Sequence, residues 1–351
     1  MTDLAKIAVS LVSKGKGILA ADETVSTLTK RFDALKINST PSSRRDYREL
    51  LLTAPGAGEF ISGVIMHDET IRQQTSAGAP FVAACEQLGI VPGIKVDAGA
   101  KPLAGHAPER VTEGLDGLRE RLAEYRQLGA RFAKWRAVFE VSDTLPSAAC
   151  VATNANALAR YAALCQEQEL VPIVEPEVLM DGAHTIERCE KVTSAVLRAV
   201  FLALFEQGVR LEWMLLKPNM VVSGAQCRRQ ADVGEVAVGT LRCLRRHAPA
   251  AVPGVVFLSG GQRDVTATRH LDAINRADGP KPWKLSFSYG RALQDPALAT
   301  WLGKPENVAA AQKAFYHRAR CNSLSALGKY SENEEKHAEP SPSVSSDWRD
   351  D

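Results

Sequence analysis

Val171-Pro172-Ile173-Val174-Glu175-Pro176-Glu177 is a short apolar run that ends abruptly in two carboxylates. It lies between two longer stretches rich in helix formers, Ala155 to Gln168 and Ile186 to Glu206. A run of that length, rich in β-branched residues and flanked by helical periodicity, predicts a buried strand with a helix on either side. The same unit recurs along the chain. Gly17-Ile18-Leu19-Ala20-Ala21, Gly63-Val64-Ile65-Met66, Val91-Pro92-Gly93-Ile94 and Arg131-Phe132-Ala133 precede it. Trp213-Met214-Leu215-Leu216, Val255-Val256-Phe257-Leu258 and Trp283-Lys284-Leu285-Ser286-Phe287 follow it, and Leu115 to Leu128 is a further helical stretch. Strands alternating with helices predict a parallel sheet with helical crossovers. Eight strands at intervals of roughly 30 to 45 residues fit closure into an α/β (β/α)8 TIM barrel. The competing architecture, an open doubly wound sheet, lacks its usual G-x-G-x-x-G opening after the first strand.

Composition narrows the classes of function. The 351 residues are 45% hydrophobic and 24% charged, ordinary for a globular chain. Lys plus Arg number 43 against 41 Asp plus Glu, a formal charge of +2. That balance gives no electrostatic reason to expect nucleic acid or a membrane surface as partner. Met1 to Lys16 lacks the pattern of a secretion signal. No apolar run is long enough to span a bilayer; Val196 to Phe205 is interrupted by Arg198. Seven widely spaced cysteines without a C-x-x-C pair predict reduced thiols and a cytoplasmic location. The histidines show no zinc-ligand spacing, so no metal is expected. Residues 1–330 read as one barrel domain, and 331–351, rich in Ser, Glu, Asp and Pro, as a flexible tail.

Chemistry is concentrated where each strand candidate stops. In order the ends carry Asp22-Glu23, His67-Asp68, Lys95, Lys134-Trp135-Arg136, Glu175-Pro176-Glu177, Lys217, Ser259-Gly260-Gly261 and Ser288-Tyr289-Gly290-Arg291. Barrel enzymes build their sites at the C-terminal ends of their strands, so these groups should converge on one mouth. Lys217 stands out, because an ammonium closing an apolar run loses hydration and its pKa should fall. A lysine that spends time as the free amine can attack a carbonyl and form a Schiff base. Taken alone it could equally be a strand-end lysine whose head reaches water; the convergence of so many charged strand ends argues otherwise. Residues two apart on a strand share a face, so Glu175 should point with Glu177, and Lys134 with Arg136. Lys134 and Lys95 would repel a charged Lys217, while the carboxylates supply proton donors and acceptors. The Ser259-Gly260-Gly261 turn and Gly290-Arg291 fit an anion site built after strands seven and eight. Lys30-Arg31 with Arg44-Arg45 could hold a second anion or could simply be an exposed helix face.

These residues resemble the class I, Schiff-base-forming fructose-bisphosphate aldolases. The resemblance runs from Gly15-Lys16-Gly17-Ile18-Leu19-Ala20-Ala21-Asp22-Glu23 to Leu327-Gly328-Lys329-Tyr330. It includes Gly93-Ile94-Lys95-Val96-Asp97, Phe132-Ala133-Lys134-Trp135-Arg136, Leu215-Leu216-Lys217-Pro218-Asn219-Met220-Val221 and Phe287-Ser288-Tyr289-Gly290-Arg291. It implies a (β/α)8 barrel that reversibly cleaves fructose 1,6-bisphosphate to dihydroxyacetone phosphate and glyceraldehyde 3-phosphate, without metal or cofactor. By position, Lys217 matches the Schiff-base lysine and Glu175 the principal general acid/base. Glu177 and Lys134 match groups that tune the nucleophile, and Asp22 the carboxylate near the cleaved bond. Ser259, Gly260, Gly261, Ser288, Gly290 and Arg291 match the ketose-side phosphate site; Arg31, Lys95, Arg136 and Arg44 match residues around the other phosphate. The resemblance also implies a cytosolic homotetramer of glycolysis and gluconeogenesis, with Leu115-Asp116-Gly117-Leu118 near one subunit contact.

The chain departs from the family pattern in places. Thr24-Val25-Ser26-Thr27 stands where Ser-Thr-Gly-Ser is usual, and His67-Asp68-Glu69-Thr70 where Phe-His-Glu-Thr is usual. No tyrosine follows Tyr330, whereas family members typically end in one that reaches the site. These departures bear on turnover and on the choice between fructose 1,6-bisphosphate and fructose 1-phosphate. They leave two alternatives: a Schiff-base lyase for another phosphosugar, or a weakly active paralogue serving as a phosphosugar-binding or scaffold protein.

Overall fold

Strands and helices alternate along residues 3–337, the part of the chain that the computed structural model describes. The strands are β1 (Gly17–Ala21), β2 (Ile61–Met66), β3 (Val91–Lys95), β4 (Ala100–Pro102), β5 (Arg110–Thr112), β6 (Phe132–Phe139), β7 (Val171–Val178), β8 (Leu215–Leu216), β9 (Gly254–Phe257) and β10 (Lys284–Tyr289). The helices are α1 (Asp3–Leu11), α2 (Val25–Ala34), α3 (Pro41–Leu52), α4 (Asp68–Ile71), α5 (Phe81–Gln87), α6 (Leu118–Gln127), α7 (Ala148–Glu167), α8 (Ile186–Glu206), α9 (Val233–His247), α10 (Asp264–Arg276), α11 (Arg291–Trp301) and α12 (Val308–Ala326).

Eight of the strands close into a parallel barrel in the order β1-β10-β9-β8-β7-β6-β3-β2. Leu19 of β1 pairs with Tyr289 on one side and Val64 on the other, which excludes an open sheet. The remaining two, β4 and β5, form a small antiparallel pair inserted after β3. Helices cover the outer face and side chains fill the interior, so β1, β2 and β7 are buried along their whole length. That is why β1 and β2, and β7 as far as Val174, read as near-continuous apolar runs.

Several strand boundaries differ from the sequence reading for physical reasons. β6 and β7 continue through their charged residues instead of ending at them. Lys134, Arg136, Glu175 and Glu177 turn into the barrel mouth, while Trp135 and Val174 belong to the core between barrel and helices. Pro172 and Pro176 flank the only β7 residues that pair with β8, Ile173 and Val174, so neither interrupts that short ladder. β8 itself is two residues long, because Leu211–Trp213 coils into a 3₁₀ turn.

The barrel floor is apolar. Leu4, Ala8 and Leu11 of α1 pack with Ile18, Ile65, Phe132, Ile173, Leu215 and Val256 in one buried cluster. Phe132 fits there because Gly63 and Gly93 leave it room; a Cβ on Gly93 would lie 2.3 Å from the ring. With the floor sealed, the polar strand ends are left to the opposite opening.

The tail does not begin loose at Ser331. Glu332–His337 forms a 3₁₀ turn, and Glu335 meets Arg318 twice at 2.8 Å and the Tyr330 hydroxyl at 2.6 Å. Arg269 and Arg320 pair with Glu332 and Glu334. The rest of the segment expected to be flexible, 338–351, lies outside the described residues. Among the described residues no helix is long and apolar enough to cross a membrane.

Candidate active site

A cavity of about 310 Å³ opens at the C-terminal ends of the barrel strands. Asp22, His67, Lys95, Lys134, Arg136, Glu175, Glu177, Lys217, Ser259, Gly260, Ser288, Gly290 and Arg291 line it, so the charged strand ends do meet at one mouth. The alternation along β6 and β7 puts Lys134 with Arg136 and Glu175 with Glu177 on the cavity face, as the two-residue period requires.

Lys217 is held by backbone and by its successors. Its N–H donates to Val174 C=O at 2.8 Å, extending the β7–β8 ladder one residue past β8. Asn219, two residues on, accepts from the Val178 N–H at 3.0 Å and donates to Thr193 Oγ1 at 3.1 Å, pinning the turn to β7 and α8. The Lys217 side chain is 5% exposed, and Nζ lies 3.2 Å from Glu175 Oε1. The other carboxylate oxygen of Glu175 faces Lys134 Nζ at 3.4 Å, and Lys134 in turn reaches Asp22 Oδ2 at 2.7 Å. Two lysines and two carboxylates thus form one buried chain, Lys217–Glu175–Lys134–Asp22.

The electrostatics separate the members of this chain. Burial alone would lower the Lys134 pKa, but Asp22, Glu175 and Asp97 outweigh it and raise the pKa above the ordinary lysine value. Burial would raise the Asp22 pKa, yet Lys134 and then Lys217 carry it well below the usual carboxylate range. Glu177 is likewise lowered: burial opposes ionisation, and Arg136, whose Nε sits 2.5 Å from Glu177 Oε2, overcomes it. Lys134 and Asp22 therefore stand as a fixed ion pair beside Lys217.

One wall of the cavity suits an oxyanion. Gly260 and Gly261 both adopt left-handed backbone, φ +61° and +89°, which glycine tolerates without strain. Gly260 lines the cavity; Gly261 stands behind it, within reach of the Arg291 guanidinium. Gly290 caps α11, so the positive end of that eleven-residue helix opens on the mouth beside Arg291. Ser288 Oγ is buried and hydrogen bonds to no described residue. Across the mouth stand Lys95, paired to Asp97 at 2.7 Å, and Arg136. Asp97 also accepts from the Arg136 backbone N–H at 3.2 Å and so joins β3 to β6.

Arg31 and Arg44 are not brought to the cavity. Arg31 is buried behind the wall, where it pairs with Glu23 and with Asp295 at 2.8 Å. Arg44 is held by Glu69 on α4, with Nε to Oε2 at 3.0 Å. Glu23 is the cause for Arg31: it follows Asp22 at the edge of the cavity and collects both Arg31 and the buried Arg48, the latter at 2.8 Å. Gln294 of α11 donates to Glu23 at 2.9 Å, and the network ties α2, α3 and α11 to the end of β1. Sequence reasoning missed Arg48, Gln294, Asp97 and Asn219, because a buried polar side chain on a helix or loop leaves no periodic trace. It also missed that His317 and Cys321, one turn apart on α12, meet Glu335 with ligand atoms within 4.8 Å of one another. The i, i+4 spacing was the available signal. Arg318 already occupies both oxygens of Glu335, which marks this trio as an anchor for the tail rather than a cation site.

The family model of class-I fructose-bisphosphate aldolases matches residues 3–347. A probable fructose-bisphosphate aldolase class 1 from Xanthomonas campestris pv. campestris is 56% identical over 328 residues, 93% of this chain and 98% of that one. Fructose-bisphosphate aldolase B of Gallus gallus is 52% identical, covering 93% of this chain and 90% of its own. The solved structure of fructose-bisphosphate aldolase from Plasmodium falciparum, in complex with TRAP and a small-molecule inhibitor, superposes with a TM-score of 0.92 at 51% identity, over 93% of this chain and 95% of that one. The chain belongs to the class I fructose-bisphosphate aldolase family.

Proposed function

We propose that this chain cleaves fructose 1,6-bisphosphate reversibly to dihydroxyacetone phosphate and glyceraldehyde 3-phosphate through a Schiff base on Lys217. The observation that carries the reading is the contact of a buried Lys217 with Glu175 at 3.2 Å, beside the Lys134–Asp22 ion pair. Lys217 Nζ attacks the substrate ketone, and Glu175 delivers the proton that lets the carbinolamine oxygen leave as water. The C4 hydroxyl gives its proton to Glu175, left as a carboxylate by the dehydration, and the electrons of the C3–C4 bond pass to the iminium cation as the aldehyde forms. Asp22, held ionised by Lys134, is the carboxylate suited to direct that hydroxyl. The aldehyde leaves first; protonation of the enamine at C3 and hydrolysis then release the ketone and free Lys217.

The ketose-side phosphate would take the Ser259-Gly260-Gly261 turn, Ser288, Gly290 and Arg291. The aldehyde-side phosphate would take Lys95 and Arg136. The buried ion pairs of Arg31 and Arg44 support a role in shaping that wall instead of touching the anion. Metal-independent chemistry, a cytoplasmic setting in glycolysis and gluconeogenesis, and a homotetrameric assembly complete the reading. Among the relatives, one from Arabidopsis thaliana is described as cytosolic.

Borohydride reduction in the presence of dihydroxyacetone phosphate is the test. The ligand should be found attached to Lys217 by peptide mass analysis, and cleavage of the bisphosphate should survive a strong chelator. An unmodified Lys217 would end the proposal.

A further inference from the structure

We propose that His67 is a specificity-determining residue: its Nε2–H donates a hydrogen bond to the phosphate on the aldehyde half of a ketose bisphosphate. The inference rests on the reading of the site given above. In the eight-strand ring, β2 lies directly across from β8, four places away in either direction. His67 is the first residue after β2 and Lys217 the first after β8, so the two face each other across the mouth, and both line the cavity. A substrate condensed on Lys217, with one phosphate held by the β9 and β10 loops, must extend its other half toward the β1–β2–β3–β6 side.

The ring has only one hydrogen to offer. His67 caps α4, and its Nδ1 accepts from the Glu69 backbone N–H at 3.3 Å. A neutral imidazole whose Nδ1 is an acceptor carries its proton on Nε2. Burial, then the Lys95 and Arg48 cations, hold its pKa below the ordinary histidine value, which keeps the ring in that neutral form. Nε2 has no hydrogen-bond partner among the described residues. Beside Lys95, a fixed neutral N–H complements an oxyanion without adding another charge to desolvate.

Two substitutions and two substrates test this. His67→Phe keeps a ring but removes the donor; His67→Gln restores an N–H near the position of Nε2. The measured quantity is the ratio of kcat/KM for fructose 1,6-bisphosphate to that for fructose 1-phosphate, which lacks the distal phosphate. The ratio should fall roughly tenfold in His67→Phe, as loss of a hydrogen bond to a charged group implies, and recover to within about threefold in His67→Gln. A ratio unchanged in His67→Phe, or equally depressed in both variants, overturns the proposal. Trapping of dihydroxyacetone phosphate by borohydride in each variant reports on Lys217 and the ketose half alone. Normal trapping with an unaltered ratio therefore defeats the role of His67, whereas absent trapping in the unsubstituted protein defeats the underlying function.

Discussion

Lys134 and Lys217 are the same residue type, buried to nearly the same degree, and differ in their company. Among the described residues, Lys134 has Asp22 and Glu175 within ion-pair distance, whereas Lys217 has Glu175 alone. The doubly paired lysine is the one suited to remain a cation. Replacing Lys134 by Met leaves Asp22 buried without its counter-ion and Glu175 with Lys217 alone, a change expected to cost about 3–5 kcal/mol. Asp22 has a folded pKa below its unfolded value of about 3.9. Its contribution to stability is thus fully present above that pH and lost as pH falls through the folded value. The Tm gap between wild type and Lys134→Met should be widest near neutrality and narrow below about pH 4. A gap that stays constant with pH would show that packing, and not the ion pair, is what the lysine supplies. Glu175→Gln tests the other end of the chain: kcat should fall by about 10²–10⁴-fold, the usual range for a lost general acid, with the fold unchanged by circular dichroism.

Individual elements show what the sequence could and could not reveal. The eight barrel strands were legible because each is an apolar run ending in charged or polar residues, whereas the three-residue β4 and β5 carry no such run and were missed. Helix α8 was legible to the residue because its buried stripe holds for the whole helix. The ends of β6 and β7 were not, since a charged residue facing a cavity looks the same in sequence as one facing solvent. Packing at the barrel floor is equally silent: nothing in the sequence links Gly93 to Phe132, yet the two are in contact. Gly93→Ala should therefore destabilise by about 1–3 kcal/mol, as overpacking does, and Phe132→Leu in the same chain should recover part of the loss. Additive losses in chemical denaturation would show that the two do not share that space. The tail anchor is another such element. Contacts with Cys321 and Glu335 raise the His317 pKa to about 9. A group whose folded pKa exceeds its unfolded value stabilises below the unfolded pKa, about 6.5 for histidine, and loses that contribution as pH rises through the folded one. His317→Gln should accordingly lower Tm most below about pH 6.5, while Glu335 remains ionised, and cost nothing above about pH 9. A penalty that grows with pH would contradict the pairing.

Closure of the ring is what turns a list of strand ends into a site. Lys95, Lys134, Glu175, Lys217, Ser259 and Arg291 are far apart in sequence and meet only because β1 pairs with β10 as well as β2. Each was legible as a strand end. The surroundings of Arg31 and Arg44 were not legible, because their pairing with the carboxylates Glu23 and Glu69 leaves no mark in the sequence. The outer surface raises the remaining question of assembly. Leu202 and Phe205 are 57% and 81% exposed, and their spacing puts them on one face of α8. Val238 of the adjacent α9 is 56% exposed as well. Large apolar side chains exposed on two neighbouring helices fit a face covered by another copy, in keeping with the proposed tetramer. Sedimentation equilibrium should then give a mass of four times the 38.0 kDa chain. Phe205→Gln should shift the population toward smaller species at low protein concentration, because burying the new amide without a partner costs free energy at every equivalent contact. A wild-type protein that sediments as a single chain would remove the tetramer from the reading. A variant as tightly associated as wild type would move the interface to another face, such as that near Leu115 to Leu118.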